Sequence, residues 1–296
     1  MRYRLVIFLF SLLFCGTSVH GQKDLKYLLK EGDLFTVQQK ATQVIVQQFD
    51  GNIHEMTNDL QASYDFQVTS VNGQGFEMTL VFRNFSMLST SNLQGEIINV
   101  NTAEVTSGDI MSAMFHVLKD YELHMDMDIH GKVLAVRGGN ELIQKMIEAG
   151  GIEDGFTIEL MKKSLENDFG SEKLAKSFEQ MTYFYPTERV MVGDSWKNSY
   201  NGDLSAENTW TLEKMNAATT AISGVAAVVM DTENSGTVMS LSGTQETSII
   251  AKTKSGFIEK MTVNGWVEGV STMAQMGNVE IPTSIKSTIT YQLIQD

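Results

Sequence analysis

At 296 residues, with 22 basic against 36 acidic residues and a net charge of −14, the chain is too acidic to suit nucleic acid or an anionic lipid surface. Its one cysteine excludes a disulfide framework, and a 42% hydrophobic content is ample for one large domain or two intimately packed halves.

Residues 1–21 read as an export signal. Arg2 and Arg4 form a short basic region, Leu5–Phe14 is almost wholly apolar, and Val19-His20-Gly21 offers a cleavage site before Gln22. Phe14, immediately before Cys15, is the wrong residue for a lipoprotein signal, so cleavage would leave a mature chain without cysteine. No later segment is long and apolar enough to span a membrane after signal cleavage.

Residues 22–138 are expected to form a first β-rich half. Glu31-Gly32-Asp33 is a turn, and Phe35, Val37 and Gln39 open an alternating segment that ends at the hairpin signal Asp50-Gly51-Asn52. Leu60, Ala62, Tyr64, Phe66 and Val68 share one side of an extended strand. After Asn72-Gly73-Gln74-Gly75, the series Phe76, Met78, Leu80 and Phe82 repeats that period. Phe85–Val105 is less regular, with short strands expected near Phe85–Leu88 and Glu96–Val100. Asp109–Lys119 is expected to be helical, capped by Ser107 or Asp109, and Glu122–Ile129 and Lys132–Val136 make a hairpin about His130-Gly131.

Residues 139–182 form a helical bridge. Asn140 is the expected cap of a helix bearing Leu142, Ile143, Met146 and Ile147, which Gly150-Gly151 ends. A second helix is expected over Phe156–Asn167. A third, capped by Ser171, sets Leu174, Phe178 and Met181 on one face. Each has one apolar face, so each should lie on a sheet.

Residues 183–296 form a second β-rich half. Pro186 prevents continuation of the third helix, and Val190–Trp196 is extended but broken at Gly193-Asp194. Strands are expected around Trp210 and Leu212, over Ala221–Met230, Gly236–Ser242, Glu246–Thr253, Phe257–Val263 and Gly265–Val270. A last strand alternates Ile285, Ser287, Ile289, Tyr291 and Leu293 against Lys286, Thr288, Thr290, Gln292 and Ile294. Glu31-Gly32-Asp33 and Val192-Gly193-Asp194 suggest an imperfect repeat, with Tyr64-Asp65-Phe66 corresponding to Trp210-Thr211-Leu212. The expected fold is α+β and β-rich. It consists of two pseudo-repeated antiparallel halves related by a pseudo-twofold, or one large curved sheet, bridged and covered by helices.

Chemistry is sparse. His124, Asp126, Asp128 and His130 fall on one strand face with Met125, Met127 and Ile129 on the other, a metal-like set on which a metal-dependent hydrolase would centre. Same-face residues lie about 7 Å apart along a strand, too far for a compact shell without a bend or help from elsewhere, and a solvated polar face over a methionine core explains the pattern more simply. His54 and His116 lack partner patterns for acid–base work. Ser195 lacks the flanking glycines of a nucleophile elbow, and Gly138-Gly139 reads as a strand-to-helix connection before it reads as an anion site. No catalytic, cofactor or metal residue is therefore assigned, and whether the chain is an enzyme stays open. The 18 methionines suit adaptable packing or a flexible apolar cavity. Tyr183, Phe184, Tyr185, Trp196, Trp210 and Trp266 could line a groove between helices and sheet.

The early Glu31-Gly32-Asp33, Tyr185-Pro186 and the run Val190–Trp196 ending in Gly-Asp-Ser-Trp resemble uncharacterised exported proteins of the Bacteroidetes. The architecture is similar to that of periplasmic lipoprotein carriers, whose curved sheets close around an apolar cavity under helices. These resemblances imply an exported envelope protein, periplasmic, outer-membrane-associated or extracellular. It would bind a hydrophobic ligand or lipid, or alternatively act on envelope proteins as an interaction or assembly factor.

Overall fold

Alternation along the chain builds strands much longer than the short segments expected from sequence. The computed structural model describes residues 21–104, 109–234, 236–274 and 277–295; the signal reading falls, Gly21 aside, outside them, as does Ser107. Before the helical bridge come β1 (Leu34–Phe49), β2 (Asn52–Asn72), β3 (Gly75–Ser91), β4 (Gly95–Asn101), α1 (Ile110–His116), β5 (Glu122–Asp128) and β6 (Val133–Arg137). The bridge is α2 (Gly139–Ala149), α3 (Gly155–Phe169) and α4 (Ser171–Thr182). After it come β7 (Ser195–Tyr200), β8 (Leu204–Met215), β9 (Thr219–Asn234), β10 (Thr237–Lys252), β11 (Ile258–Met273) and β12 (Glu280–Gln295).

All twelve strands belong to one antiparallel sheet, ordered β6-β5-β3-β2-β1-β12-β11-β10-β9-β8-β7, with β4 beside β5 along the free edge of β3. The first and last strands, β1 and β12, join the two β-rich stretches. Of the two expected arrangements, the single large sheet is the one formed. It is curled but open: α4 packs on β6 at one edge and also touches β7 at the other. Glycines help the curl. A Cβ on Gly243 would come 1.9 Å from the Trp266 carbonyl oxygen, and one on Gly269 would come 2.3 Å from that of Ser240.

The imperfect repeat has a structural counterpart. Gly32 and Gly193 both have φ above 85°. Asp33 and Asp194 each accept from the amide three residues earlier, Lys30 at 2.8 Å and Met191 at 2.7 Å. The Gly32 amide donates to Val68 and the Gly193 amide to Leu212, so Phe35–Phe66 in one half corresponds to Trp196–Trp210 in the other. Trp210 thus matches Phe66, two residues on from the expected Tyr64. The relation is a step of six strands along the sheet. A twofold through the β1–β12 junction would reverse the chain order, so the expected pseudo-twofold is replaced by a translation.

The concave face carries the core: Phe35, Val37, Tyr64, Phe66, Met78, Leu80, Met125, Trp210, Ile249 and Met261 are all buried. The segment before β1 closes one end. Lys23 bridges Val190, the Tyr27 amide donates to Ile129 at 2.8 Å, and the Leu28 amide donates to Ser255 at 2.8 Å.

Four local expectations are corrected. The cap of α2 is Gly138, at φ 98°, not Asn140, which sits inside the helix. There, Gly139 packs so tightly that a Cβ would meet the Phe169 carbonyl oxygen at 2.5 Å. Gly170, not Ser171, caps α4; Ser171 Oγ instead accepts from the Gly139 amide at 3.2 Å. The Asp109 cap is present, but α1 stops at His116. Gly236–Ser242 and Glu246–Thr253 merge into β10, as do Phe257–Val263 and Gly265–Val270 into β11.

Candidate functional site

The metal-like run lies on the convex face of β5 and in the turn after it, with Met125 and Met127 buried beneath. Its carboxylates are already engaged. Arg137 holds Asp126 through both oxygens, one bond at 2.8 Å, and this hydrogen bonding depresses the Asp126 pKa. Asp128 Oδ1 accepts from the amides of His130 at 2.8 Å and Lys132 at 2.9 Å, which shapes the turn. His124 is half-exposed, 3.7 Å from Glu122. Among the described residues, no group of three or more histidine, cysteine, aspartate or glutamate side chains is placed to hold a metal.

The other sequence candidates also have structural partners. Ser195 Oγ shares a 2.9 Å hydrogen bond with Thr211 Oγ1 on an exposed strand. His54 Nε2 meets Ser91 Oγ at 3.0 Å, and His116 Nδ1 meets the Thr102 carbonyl at 3.2 Å. The aromatic group ties the chain after α4 to β7 and β8. Trp196 Nε1 donates to the Phe184 carbonyl, Tyr200 Oη to that of Tyr183, and Trp210 Nε1 to Asn198 Oδ1, each at 2.9 Å. Tyr185 Oη donates to the Gly256 carbonyl at 2.7 Å. None of the six aromatics lines the main cavity. Trp266, half-exposed, borders a smaller hollow.

The main cavity lies where α1, α3 and α4 cross the concave face. Its volume is about 350 Å³. The sheet wall is formed by Gln39 on β1, Leu60 and Tyr64 on β2, Phe82, Phe85 and Met87 on β3, and Tyr291 on β12. The helical roof supplies Phe115, Phe169, Leu174, Phe178 and Met181, with Asn167, Asp168 and Ser177 as its polar members. A hollow of about 140 Å³ continues past Tyr291 along β11 and β12, with Val263, Ile285 and Ile289 in its wall. A polar hollow of about 180 Å³ shares Asn167 and Ser177 with the main cavity and contains Lys173, Lys176 and Asp203.

Aromatic packing ties the roof to the sheet. The ring of Phe178 stands edge-on to Tyr64 and Phe66, with centroids 5.7 and 5.8 Å away. The Tyr64 hydroxyl donates to Gln39 Oε1. Burial raises the pKa of Tyr64 and pushes that of Tyr291 up to about 12. Asp168 is exposed at the mouth of the cavity; partial desolvation raises its pKa, Lys173 opposes the rise and Asp203 adds to it. Lys173 is itself committed to Asp203, Nζ to Oδ2 at 2.5 Å.

Strand alternation and helix faces had already marked Leu60, Tyr64, Phe82, Leu174, Phe178, Met181 and Tyr291 as core-facing. Asp168 and Ser177 carried no such signal, since only the crossing of α3 and α4 over the sheet brings them to the cavity.

A family model described as "Family of unknown function (DUF6263)" matches residues 73–258. No curated protein matches the chain in sequence. Among solved structures, lipovitellin is similar with a TM-score of 0.51 and 9% identity over 90% of this chain, which spans 25% of the lipovitellin chain; the likeness is one of fold. DynF from the dynemicin biosynthesis pathway of Micromonospora chersina gives a TM-score of 0.24 at 7% identity, covering 92% of this chain and 85% of its own. A putative outer membrane lipoprotein-sorting protein domain from Vibrio parahaemolyticus gives 0.15 at 8% identity, covering 87% and 86%. The last two likenesses are too low to carry a structural argument. No helix among the described residues is long and apolar enough to cross a membrane.

Proposed function

The chain belongs to the DUF6263 family of unknown function, and from that starting point we propose that it is a non-enzymatic binding protein for a hydrophobic ligand, working as an exported component of the cell envelope. The observation that carries this reading is the cavity of about 350 Å³ between the concave sheet and α4. Its size falls within the roughly 300–1,000 Å³ of small-molecule sites, and its walls are mainly aromatic and aliphatic. The smaller hollow beyond Tyr291 extends the apolar surface, as an elongated chain would require. Lipovitellin, whose structure is described for its lipid–protein interactions, has a sheet of related fold; that likeness concerns the scaffold, and the cavity supplies the functional argument.

The reading is tested by purifying the protein gently from its native envelope and recording native mass spectra before and after organic extraction. A small apolar molecule that leaves on extraction is the expected result. A chain of unmodified mass that also fails to take up the apolar dye Nile red after extraction would defeat it.

A further inference from the structure

The charge inside the cavity selects among hydrophobic ligands. Among the described residues lining it, Asp168 is the one ionisable carboxylate, and no lysine, arginine or histidine joins it. The nearest cation in play, Lys173, is held by Asp203 at 2.5 Å in the adjoining polar hollow. Lys176 is likewise held by Glu172 at 2.7 Å. An anionic head group entering this cavity would meet a carboxylate at its exposed mouth, with no cation in the lining to receive it. An ammonium head would find a carboxylate open to the cavity, with Asn167 and Ser177 beside it as further hydrogen-bonding groups.

We infer that the cavity takes an amphiphile with an amine head, seated against Asp168 with its apolar chain running toward Tyr291, and that it rejects fatty carboxylates. The inference rests on the cavity being the ligand site. The apolar chain would lie along Leu60, Phe85, Met87 and Phe178.

The test uses the full mature chain after extraction, loaded with Nile red, below the micellar concentration of each competitor. Hexadecylamine, hexadecanol and hexadecanoate are titrated as displacers. The expected order is amine, then alcohol, then carboxylate, with the amine favoured over the carboxylate by roughly tenfold or more. Asp168→Asn should remove that preference while the alcohol still displaces the dye, and Asp168→Glu should retain it. The alcohol series reports whether each variant keeps its cavity. Hexadecanoate displacing as well as the amine would overturn the inference and leave the cavity as a ligand site, as would a preference that survives Asp168→Asn. Failure of all three to displace bound dye, or failure of the dye to bind, would overturn the ligand-site reading and this inference with it.

Discussion

The Tyr27 hydroxyl donates a 2.9 Å hydrogen bond to the carbonyl of Thr182, joining the segment before β1 to the last residue of α4. The Thr182 hydroxyl in turn donates to the Gly131 carbonyl at 2.6 Å, so the β5–β6 turn is drawn into the same knot. Gly131 permits this approach: at φ 97°, a Cβ there would lie 1.9 Å from the Thr182 oxygen. Tyr27→Phe keeps the ring packed between Tyr185 and Phe257 but leaves the Thr182 carbonyl with the 3.2 Å bond from the Phe184 amide alone. The expected loss is about 0.5–1.5 kcal/mol of unfolding free energy, read from the shift in urea midpoint at constant m. An unchanged midpoint would mean that the hydrogen bond contributes nothing to holding the end of α4.

Gly224 on β9 leaves room for the indole of Trp210 on β8. A Cβ at that position would fall 2.3 Å from the ring. Gly224→Ala should therefore push the ring off Gly224 and strain its 2.9 Å bond to Asn198. About 1–3 kcal/mol of destabilisation is expected, as for overpacking elsewhere, with a change in near-UV circular dichroism. Native spectra together with native stability would show that Trp210 has freedom the packing denies it.

How much of this was legible in the sequence depended on whether alternation ran unbroken. It does so in β12, and there Ile285, Ile289, Tyr291 and Leu293 face inward as their spacing requires. It fails in β3. Tyr64 pairs with Phe82 but Ser63 with Asn84, so the extra residue Arg83 lets Phe82 and Phe85 both face inward. A two-residue period cannot follow that bulge, and the strand beyond it read as irregular. Glu259 plays the same part between Ile258 and Lys260 on β11. The polar face of the His124–His130 run was legible as far as Asp128, where Met125 and Met127 alternate with it; Ile129 and His130 lie in the turn beyond, where the strand period no longer applies. The cavity was not legible as a void. Its walls are ordinary core residues, and its charge, Asp168, sits on a helix whose path over the sheet no local pattern encodes. The helix caps misled for a related reason: Asn140 and Ser171 suit capping, but close packing between Gly139 and the α3–α4 junction demanded glycine at the neighbouring position.

Alkaline pH should unfold the protein cooperatively. Burial raises the pKa values of Tyr27, Tyr64, Tyr185, Tyr200 and Tyr291 above the ordinary value of 10.0. The folded state therefore holds these protons after the unfolded chain has released them. Their contribution to stability is intact below pH 10 and is lost as pH rises through the folded values, about 12 for Tyr291. Phenolate absorbance and far-UV circular dichroism should change together in that window, and Tyr291→Phe should soften the transition. Five tyrosines titrating near pH 10 in a folded protein would contradict their burial.

Leu60 offers a way to close the cavity without touching its polar groups. It lies on the inward face of β2, half-buried at the cavity wall beside Met87. Leu60→Trp would extend a ring into a space of about 350 Å³, so the added volume has somewhere to go and the core need not move. Stability should fall by no more than about 1–3 kcal/mol, the range of small-to-large replacements. Nile red uptake should fall by about tenfold, a loss of roughly 1.4 kcal/mol in binding free energy. Leu134→Trp, at an exposed position on β6 outside the cavity, is the matched control and should bind dye as the parent does. The comparison separates a site from a surface: equal dye uptake by both variants would place the apolar binding outside the helical roof, whereas loss confined to Leu60→Trp locates it between α4 and the sheet.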